Sequence, residues 1–121
     1  MEELFQKYAA AWDAFDPEAI ASLYRLPCAI VDSDGVQTYT DKIELLNKFS
    51  NNCRDMGNIG YKQAKFSILN QQRLDVGQVA VNIGWLIETE TQNIEFRTLY
   101  ICHKIQQTWF VFSANVYQGS S

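Results

Sequence analysis

The sequence predicts an α+β domain in which three N-terminal helices pack on one face of an antiparallel sheet. In residues 1–15 the apolar side chains recur every three or four positions, which is the period of one helical face. From residue 59 onward the period changes to two, which is the period of a β-strand. The connections between these later strands are short, so neighbouring strands must run antiparallel. We therefore expect the helices first and a four-stranded meander after them.

The first two helices have recognisable ends. The first covers residues 1–15. Asp16 and Pro17 suit the start of the second helix, because an aspartate caps a helix and a proline in its first turn loses no hydrogen bond. We predict that this helix runs to about Tyr24 and that Pro27 forces the chain out of helical geometry.

A short β-hairpin is predicted between the second and third helices. Residues 28–31 are apolar and partly β-branched, residues 36–40 resume that pattern, and Asp34-Gly35 favours a tight turn between them. Asp41 then predicts the start of the third helix, in a motif that resembles a capping box. We predict that Gly57-Asn58 closes this helix, as a glycine just beyond the last helical turn usually does.

Four strand-like segments with apolar patterns make up the rest of the domain. They cover residues 60–72, 78–90, 94–105 and 108–118. Both faces of these strands carry apolar side chains, whereas a sheet with one wet face shows cleaner alternation. We expect helices on one face and a second copy of the chain on the other, which predicts a homodimer. Residues 1–118 are predicted to be one domain, and residues 119–121 a loose tail.

Composition and charge limit the partners of the chain. Its 121 residues are about one domain long, and 14 acidic against 10 basic side chains give a net charge of −4. This balance argues against a nucleic-acid or anionic-membrane partner, since both require a basic surface. No segment reaches the roughly 20 apolar residues of a membrane span. The acidic, amphipathic N-terminus also lacks the regions of a signal peptide, so we predict a cytoplasmic protein.

The cysteines predict core positions rather than a metal site. Cys28, Cys53 and Cys102 lie in separate apolar segments without CxxC spacing, as reduced core residues do. His103 is the only histidine, which leaves too few ligands for a Cys/His zinc site. No glycine-rich phosphate loop is visible, and we predict neither a metal nor a cofactor.

The opening of the chain, YAAAWDAFDPEAIASLYRLPCAIVDSDG, resembles that of the nuclear transport factor 2-like, or SnoaL-like, superfamily. The shared features are an aromatic-bearing helix, a D-x-E-A-[IL] segment, an LY-type helix end, and an apolar strand that leads to an acidic residue and a D-G turn. The resemblance implies a cystatin-like fold, in which helices close a cone-shaped half barrel. Within the superfamily the opening is most similar to that of ketosteroid isomerases.

This resemblance implies roles for two side chains. In ketosteroid isomerases a first-helix tyrosine donates a hydrogen bond to a developing oxyanion, an aspartate moves a proton, and a second, protonated acid helps to hold the oxyanion. Tyr8 and Asp32 stand at the first two places. At the third place, on the 94–105 strand, an ungapped placement puts apolar Ile101, so the chain departs from the pattern there. Scytalone-dehydratase-like members use a pair of histidines, whereas this chain has one.

Strand parity adds further candidates. If Ile101 faces the pocket, Arg97 and His103 do so too, because side chains at every second position of a strand point to the same face of the sheet. His103 could act as an acid or a base since its ordinary pKa lies near neutrality, and Arg97 could balance Asp32 or hold an anion. The remaining residues predicted to contact a substrate are Asn82, Phe112 and Val116.

Each catalytic candidate also has a structural alternative. Asp32 could cap the tight turn that follows it, as aspartate often does. Tyr8 could be a core aromatic residue with its hydroxyl at the rim. His103 could be a structural residue of its strand, and Arg97 could form a surface or interface ion pair.

Two functions therefore stay open. One is a cofactor-independent, isomerase- or cyclase-type enzyme that moves a proton next to the carbonyl of a small apolar compound. The alternative is a non-catalytic ligand-binding or dimerisation module, since this fold supports many functions. Polar groups that converge on one enclosed cavity would favour the enzyme. Polar groups that satisfy one another would favour the module.

Overall fold

Residues 1–119, which the computed structural model describes, form three helices and six strands. In chain order these are α1 (Glu2–Asp13), α2 (Pro17–Ala21), β1 (Tyr24–Asp32), β2 (Gly35–Tyr39), α3 (Lys42–Asn58), β3 (Tyr61–Asp75), β4 (Gln78–Thr89), β5 (Asn93–Ile105) and β6 (Thr108–Tyr117). The predicted α+β class and the order of its elements are confirmed. Ser120 and Ser121, in the predicted tail, lie outside the described residues.

All six strands belong to one open, curved sheet with the order β2-β1-β6-β5-β4-β3. Strands β3 to β6 form the predicted antiparallel meander. The predicted hairpin, β1 and β2, joins the same sheet because β1 pairs in parallel with β6. We call the sheet face that packs against the helices the inner face and the opposite one the outer face.

The second helix is shorter than the sequence predicts. It ends at Ala21, and Tyr24 already belongs to β1. The cause is the pairing of this segment with β6: the Val111 amide donates to the Leu23 carbonyl at 2.8 Å, and Tyr24 lies opposite Val111. A long-range partner therefore draws the chain into the sheet before Pro27 is reached.

Aspartates cap the starts of α2 and α3, as the sequence predicts. The Ala19 amide donates to Asp16 Oδ1 at 3.0 Å at the start of α2. The Ile43 amide donates to Asp41 Oδ1 at 2.8 Å at the start of α3. Each cap satisfies one amide that has no partner within its helix and so fixes where the helix begins.

The core fills the space between the helices and the inner face of the sheet. Its fully buried side chains include Phe5, Ile20, Leu45, Val81, Ile83 and Val111. The three cysteines are buried and free, as predicted. Burial raises the pKa of the Cys28 thiol to about 11 and that of Cys102 to about 12, so both stay protonated at neutral pH.

The outer face is mixed in character. Leu99 and Phe112 expose 39% and 37% of their surface there, beside the polar side chains of Asn82 and Tyr117. The homodimer that the sequence predicts through this face stays a prediction. Within residues 1–119, none of the helices has both the length and the apolar character needed to cross a membrane.

Candidate functional site

A cavity of about 380 Å³ lies between the helices and the inner face of the sheet. Its interior is rich in aromatic side chains, with eight in its wall: Tyr8, Trp12, Tyr24, Phe49, Tyr61, Trp85, Phe96 and Tyr100. The exposed lining residues mark its opening, and we call this part the mouth; it comprises Ser33, Asp34, Asp55 and Gln118. A space of this size and lining suits a small, largely apolar molecule.

Three tyrosine hydroxyls form a cluster in the cavity wall. Tyr8 Oη and Tyr24 Oη are 2.7 Å apart and share one hydrogen bond. Trp85 Nε1 donates to Tyr100 Oη at 3.0 Å, and the Tyr8 and Tyr100 rings meet edge to face with centroids 5.6 Å apart. Because one hydrogen bond uses one hydroxyl hydrogen, the Tyr8–Tyr24 pair keeps a second hydrogen that it can donate.

The tyrosine hydroxyls of this cluster stay protonated. Burial raises the pKa values of Tyr8, Tyr24 and Tyr100 well above the ordinary 10.0, and the neighbouring tyrosines add to this effect. The cluster therefore consists of neutral hydrogen-bond donors at any physiological pH. It can donate to a carbonyl or an enolate oxygen without losing a proton to solvent.

A further hydroxyl in the cavity wall has no partner. Thr98 is 1% exposed, and among the described residues its Oγ1 makes no hydrogen bond of normal geometry, although it lies near enough to the Tyr100 hydroxyl to lower the pKa of Tyr100. A buried hydroxyl without a hydrogen bond costs free energy, and such groups are rare in folded proteins. Its place in the cavity wall marks a point at which a bound molecule could provide the missing hydrogen bond.

The carboxylate of Asp32 lies at the edge of the cavity and is held on both of its oxygens. Oδ1 accepts from the Asp34 amide at 2.9 Å, which is the turn-capping contact that the sequence offered as the alternative role. Oδ2 forms an ion pair with Lys48 Nζ at 2.9 Å. The Asp32 side chain is 19% exposed, so solvent reaches it only in part.

Lys48, on α3, was not among the predicted site residues. Its side chain is only 4% exposed, and its Nζ also lies 3.1 Å from Asp34 Oδ2. Burial favours a lower pKa for this lysine, but the hydrogen bonds that its ammonium donates to Asp32 and Asp34 outweigh burial and raise the pKa, so the ammonium stays charged. The signal in the sequence was a lysine placed between the buried residues Leu45 and Phe49 of the same helix.

Tyr100 was also missed, through an error of one residue. The ungapped placement put Ile101 at the third family position, whereas Tyr100 is the residue of β5 that lines the cavity. Successive side chains of a strand point to opposite faces, so a shift by one residue moves a candidate across the sheet. The chain therefore carries a hydroxyl donor, rather than an apolar group, near that place.

Five predicted residues do not line the cavity, four because the wrong face of a strand was assigned to the pocket and Phe112 because of a β-bulge. Asn82, Arg97, Ile101, His103 and Phe112 lie on the outer face, and their predicted place in the pocket is wrong. The buried residues of β4 and β5, which alternate with them, face the helices instead. Phe112 is the extra residue of a β-bulge between β5 and β6, and its ring stacks on that of His103.

His103 has partners of its own on the outer face. Its Nδ1 accepts from Arg25 Nη1 at 3.1 Å, and its ring centroid is 4.8 Å from that of Phe112. Partial burial and the positive charge of Arg25 lower the pKa of His103, which favours the neutral imidazole. These contacts fit the structural alternative for His103.

Tyr8, Asp32 and Val116 are the predicted site residues that do line the cavity. They come from α1, β1 and β6, which are far apart in sequence. Within residues 1–119 there is no group of three or more His, Cys, Asp or Glu side chains that could hold a metal ion. The chemistry that this wall offers is therefore that of a carboxylate and a set of neutral hydroxyl donors around one apolar space.

The fold and this cavity define a class of protein. Helices pack on one face of an open, curved sheet and enclose an apolar space, which is the cystatin-like arrangement found in nuclear transport factor 2-like proteins. A model of the family described as NTF2-like protein (DUF6841) matches residues 1–119. The chain belongs to this family, and the superfamily inferred from its opening is confirmed.

Solved structures with low sequence identity have the same fold. A cystatin-like domain of unknown function from Nostoc punctiforme has a TM-score of 0.79 at 10% identity, covering 98% of this chain and 75% of that one. A putative scytalone dehydratase from Novosphingobium aromaticivorans has a TM-score of 0.72 at 11% identity, with 98% and 81% covered. No curated protein matches the chain by sequence.

A third solved structure contains a small molecule. It is a hypothetical protein from Catenulispora acidiphila with a ketosteroid isomerase-like fold, in complex with trimethylamine. Its TM-score is 0.60 at 16% identity, and the match covers 95% of this chain and 84% of that one. At these identities the three likenesses establish the fold alone.

Proposed function

We propose that this protein is a small, cofactor-independent enzyme that moves a proton next to the carbonyl group of an apolar compound bound in the cavity. One observation carries the proposal: a carboxylate and a cluster of neutral tyrosine hydroxyls line the same apolar space. Proton transfer beside a carbonyl requires a base for the proton and donors for the negative charge that develops on oxygen.

Asp32 is the base in this proposal. A carboxylate offers about four acceptor positions, and the contacts to the Asp34 amide and to Lys48 use two of them. Room is left to accept a proton from carbon. Lys48 fixes the orientation of the carboxylate and balances its charge inside a poorly solvated wall.

The tyrosine cluster stabilises the oxyanion. When Asp32 takes a proton from the carbon next to the carbonyl, the electron pair of that C–H bond moves toward the carbonyl oxygen and forms an enolate. The spare hydroxyl hydrogen of Tyr8 and Tyr24 is donated to that oxygen, and Tyr100 lies beside them. In an isomerisation, a C=C bond next to the enolate spreads the charge, and Asp32 returns the proton to the far carbon, so that the double bond shifts. In a cyclisation, the enolate carbon instead attacks a second carbonyl carbon of the same molecule, and the oxygen of that carbonyl takes the proton from Asp32.

A non-catalytic ligand-binding module is the second candidate, and one observation favours it. Both oxygens of Asp32 already have partners in the protein, and the tyrosines and Trp85 hydrogen-bond in pairs. A cavity in which polar groups satisfy one another binds a ligand mainly by its shape. The trimethylamine complex of the ketosteroid isomerase-like relative supports small-molecule binding within this fold, whichever candidate is right.

A thermal-shift screen separates the two candidates. Wild type and Asp32→Asn are tested against steroids, polyketide-like ketones and small lactones, because a ligand that binds only the folded chain raises its melting temperature. Asp75→Asn, an exposed aspartate at the end of β3, controls for the loss of a charge. The enzyme proposal predicts a ketone that stabilises wild type and Asp75→Asn but loses much of its effect with Asp32→Asn. Equal stabilisation of all three proteins would favour the binding module.

A further inference from the structure

The mouth of the cavity has an excess of negative charge. Three carboxylates line the cavity near its opening, those of Asp32, Asp34 and Asp55, and Lys48 is the one basic residue in the lining. Lys48 is shared by Asp32 and Asp34, at 2.9 and 3.1 Å. Among the ion pairs of residues 1–119, none involves Asp55. One positive charge against three negative charges leaves two negative charges uncompensated near the opening.

The interior of the cavity also favours cations over anions. Eight aromatic rings line it, and the face of an aromatic ring attracts a positive charge. The three buried tyrosines add no negative charge, because burial raises their pKa values and keeps them protonated. The whole chain has a net charge of −4, which draws cationic molecules toward it from a distance.

A separate observation points to a polar contact for a ligand in the interior. The Oγ1 of Thr98, in a residue that is 1% exposed, has no hydrogen-bond partner among the described residues. It lies in the same wall as the tyrosine cluster. A ligand oxygen or nitrogen in the interior would supply the missing partner, while the opposite end of that ligand reaches the acidic mouth.

From these observations we infer that the ligand is a carbonyl compound with a cationic ammonium group, bound with its apolar body among the aromatic rings and its charged end at the mouth beside Asp55. The inference rests on the proposed function, since it names the substrate class of the same cavity. Anionic compounds, such as carboxylates and phosphates, are excluded from this site by the same charges.

A matched pair of probes tests the charge directly. Choline and 3,3-dimethylbutan-1-ol have the same shape, but only choline is charged. Each is titrated into isotope-labelled protein and followed by NMR, which detects weak binding. We expect choline to bind about tenfold more tightly than its neutral isostere. The difference should shrink as salt is added, because salt screens exposed charges.

Two variants link the difference to the mouth. Asp55→Asn removes the unpaired carboxylate. This variant should bind choline and 3,3-dimethylbutan-1-ol with about the same affinity. Asp75→Asn removes a charge far from the cavity and should leave the preference intact. Equal binding of both probes to wild type, no binding of choline, or an unchanged preference in Asp55→Asn would each overturn the inference. If choline fails while a neutral cyclic ketone binds and depends on Asp32, the inference falls and the proposed function stands.

Discussion

Lys48 Nζ lies 2.9 Å from Asp32 Oδ2, so a buried ammonium on α3 holds the carboxylate at the end of β1. The same nitrogen lies 3.1 Å from Asp34 Oδ2 in the turn that follows. This contact joins the third helix to the hairpin at the edge of the cavity. It also gives the candidate base a fixed position, which makes the pair testable by its effect on stability.

Lys48→Met is expected to lower the free energy of unfolding by about 3 kcal/mol, because it leaves the largely buried carboxylate of Asp32 without its cation. Chemical denaturation measures the change. Lys42→Met is the matched control on the same helix, since Lys42 is 59% exposed and its pair with Glu18 lies at the surface. We expect the control to cost under about 1 kcal/mol.

A double-mutant cycle then isolates the Asp32–Lys48 pair. Asp32→Asn combined with Lys48→Met should cost at least about 1 kcal/mol less than the sum of the two single changes, because the contact can be lost only once. Additive costs would show that the pair contributes no coupling and would remove its role in holding Asp32.

The tyrosine cluster should make the fold sensitive to alkali. Tyr8, Tyr24 and Tyr100 have pKa values raised above 10.0 in the folded chain, so their stabilising effect is complete below pH 10 and is lost as the pH rises further. In that range the unfolded chain releases protons that the folded chain keeps. Each tyrosine then lowers the free energy of unfolding by about 1.4 kcal/mol per pH unit.

Above pH 10, the free energy of unfolding should fall less steeply with pH for Tyr24→Phe than for wild type, by the contribution of one tyrosine. The measurement is urea denaturation at several pH values above 10, with wild type beside the variant. Tyr8→Phe and Tyr100→Phe should reduce the slope by the same amount. A slope that does not change in any of the three would mean that these hydroxyls ionise as easily in the folded chain as in the unfolded one.

Thr98→Val tests the hydroxyl that has no partner. Valine has the shape of threonine without the hydroxyl, so the free energy of unfolding should rise by about 1 kcal/mol. Thr38→Val, on the exposed strand β2, is the control and should change stability by less than about 0.5 kcal/mol. If Oγ1 contacts the ligand, the more stable Thr98→Val protein also binds it more weakly. A loss of stability would show that Oγ1 does have a partner in the folded chain.

We propose that two chains associate through the outer face, on which Leu99 and Phe112 are partly exposed. Light scattering should give the mass of two chains for wild type at micromolar concentration. Leu99→Lys places a charge on that face and should yield monomers. Val76→Lys, at a 79% exposed residue in the β3–β4 turn, should remain dimeric. A monomeric wild type would contradict the proposal.

Much of the fold could be predicted because the apolar residues repeat regularly over long stretches of the sequence. The helical stripe of α1 and the two-residue period of β3 to β6 extend over many positions, and aspartates mark two of the helix starts. The boundary between α2 and β1 could not be predicted in the same way. It depends on pairing with β6, which lies far along the chain and leaves no local signal.

The candidate site could be predicted only in part. Tyr8 and Asp32 lie in the stretch that resembles the family, and both line the cavity. Tyr100 was missed because the face of a strand depends on its register to a single residue. Lys48 was missed because a lysine within a helix is ordinarily exposed, and its burial follows from the position of the β1–β2 turn.

Deuterium exchange of a bound ketone tests the central claim most directly. A ketone found in the thermal-shift screen is incubated with the protein in D₂O, and proton NMR follows the hydrogens on the carbon next to the carbonyl. We expect wild type to exchange them well above the buffer rate, Asp32→Asn to be slower by at least about a hundredfold, and Tyr8→Phe to be slower than wild type. Exchange at the buffer rate by wild type, or at the wild-type rate by Asp32→Asn, would contradict a role for Asp32 in proton transfer.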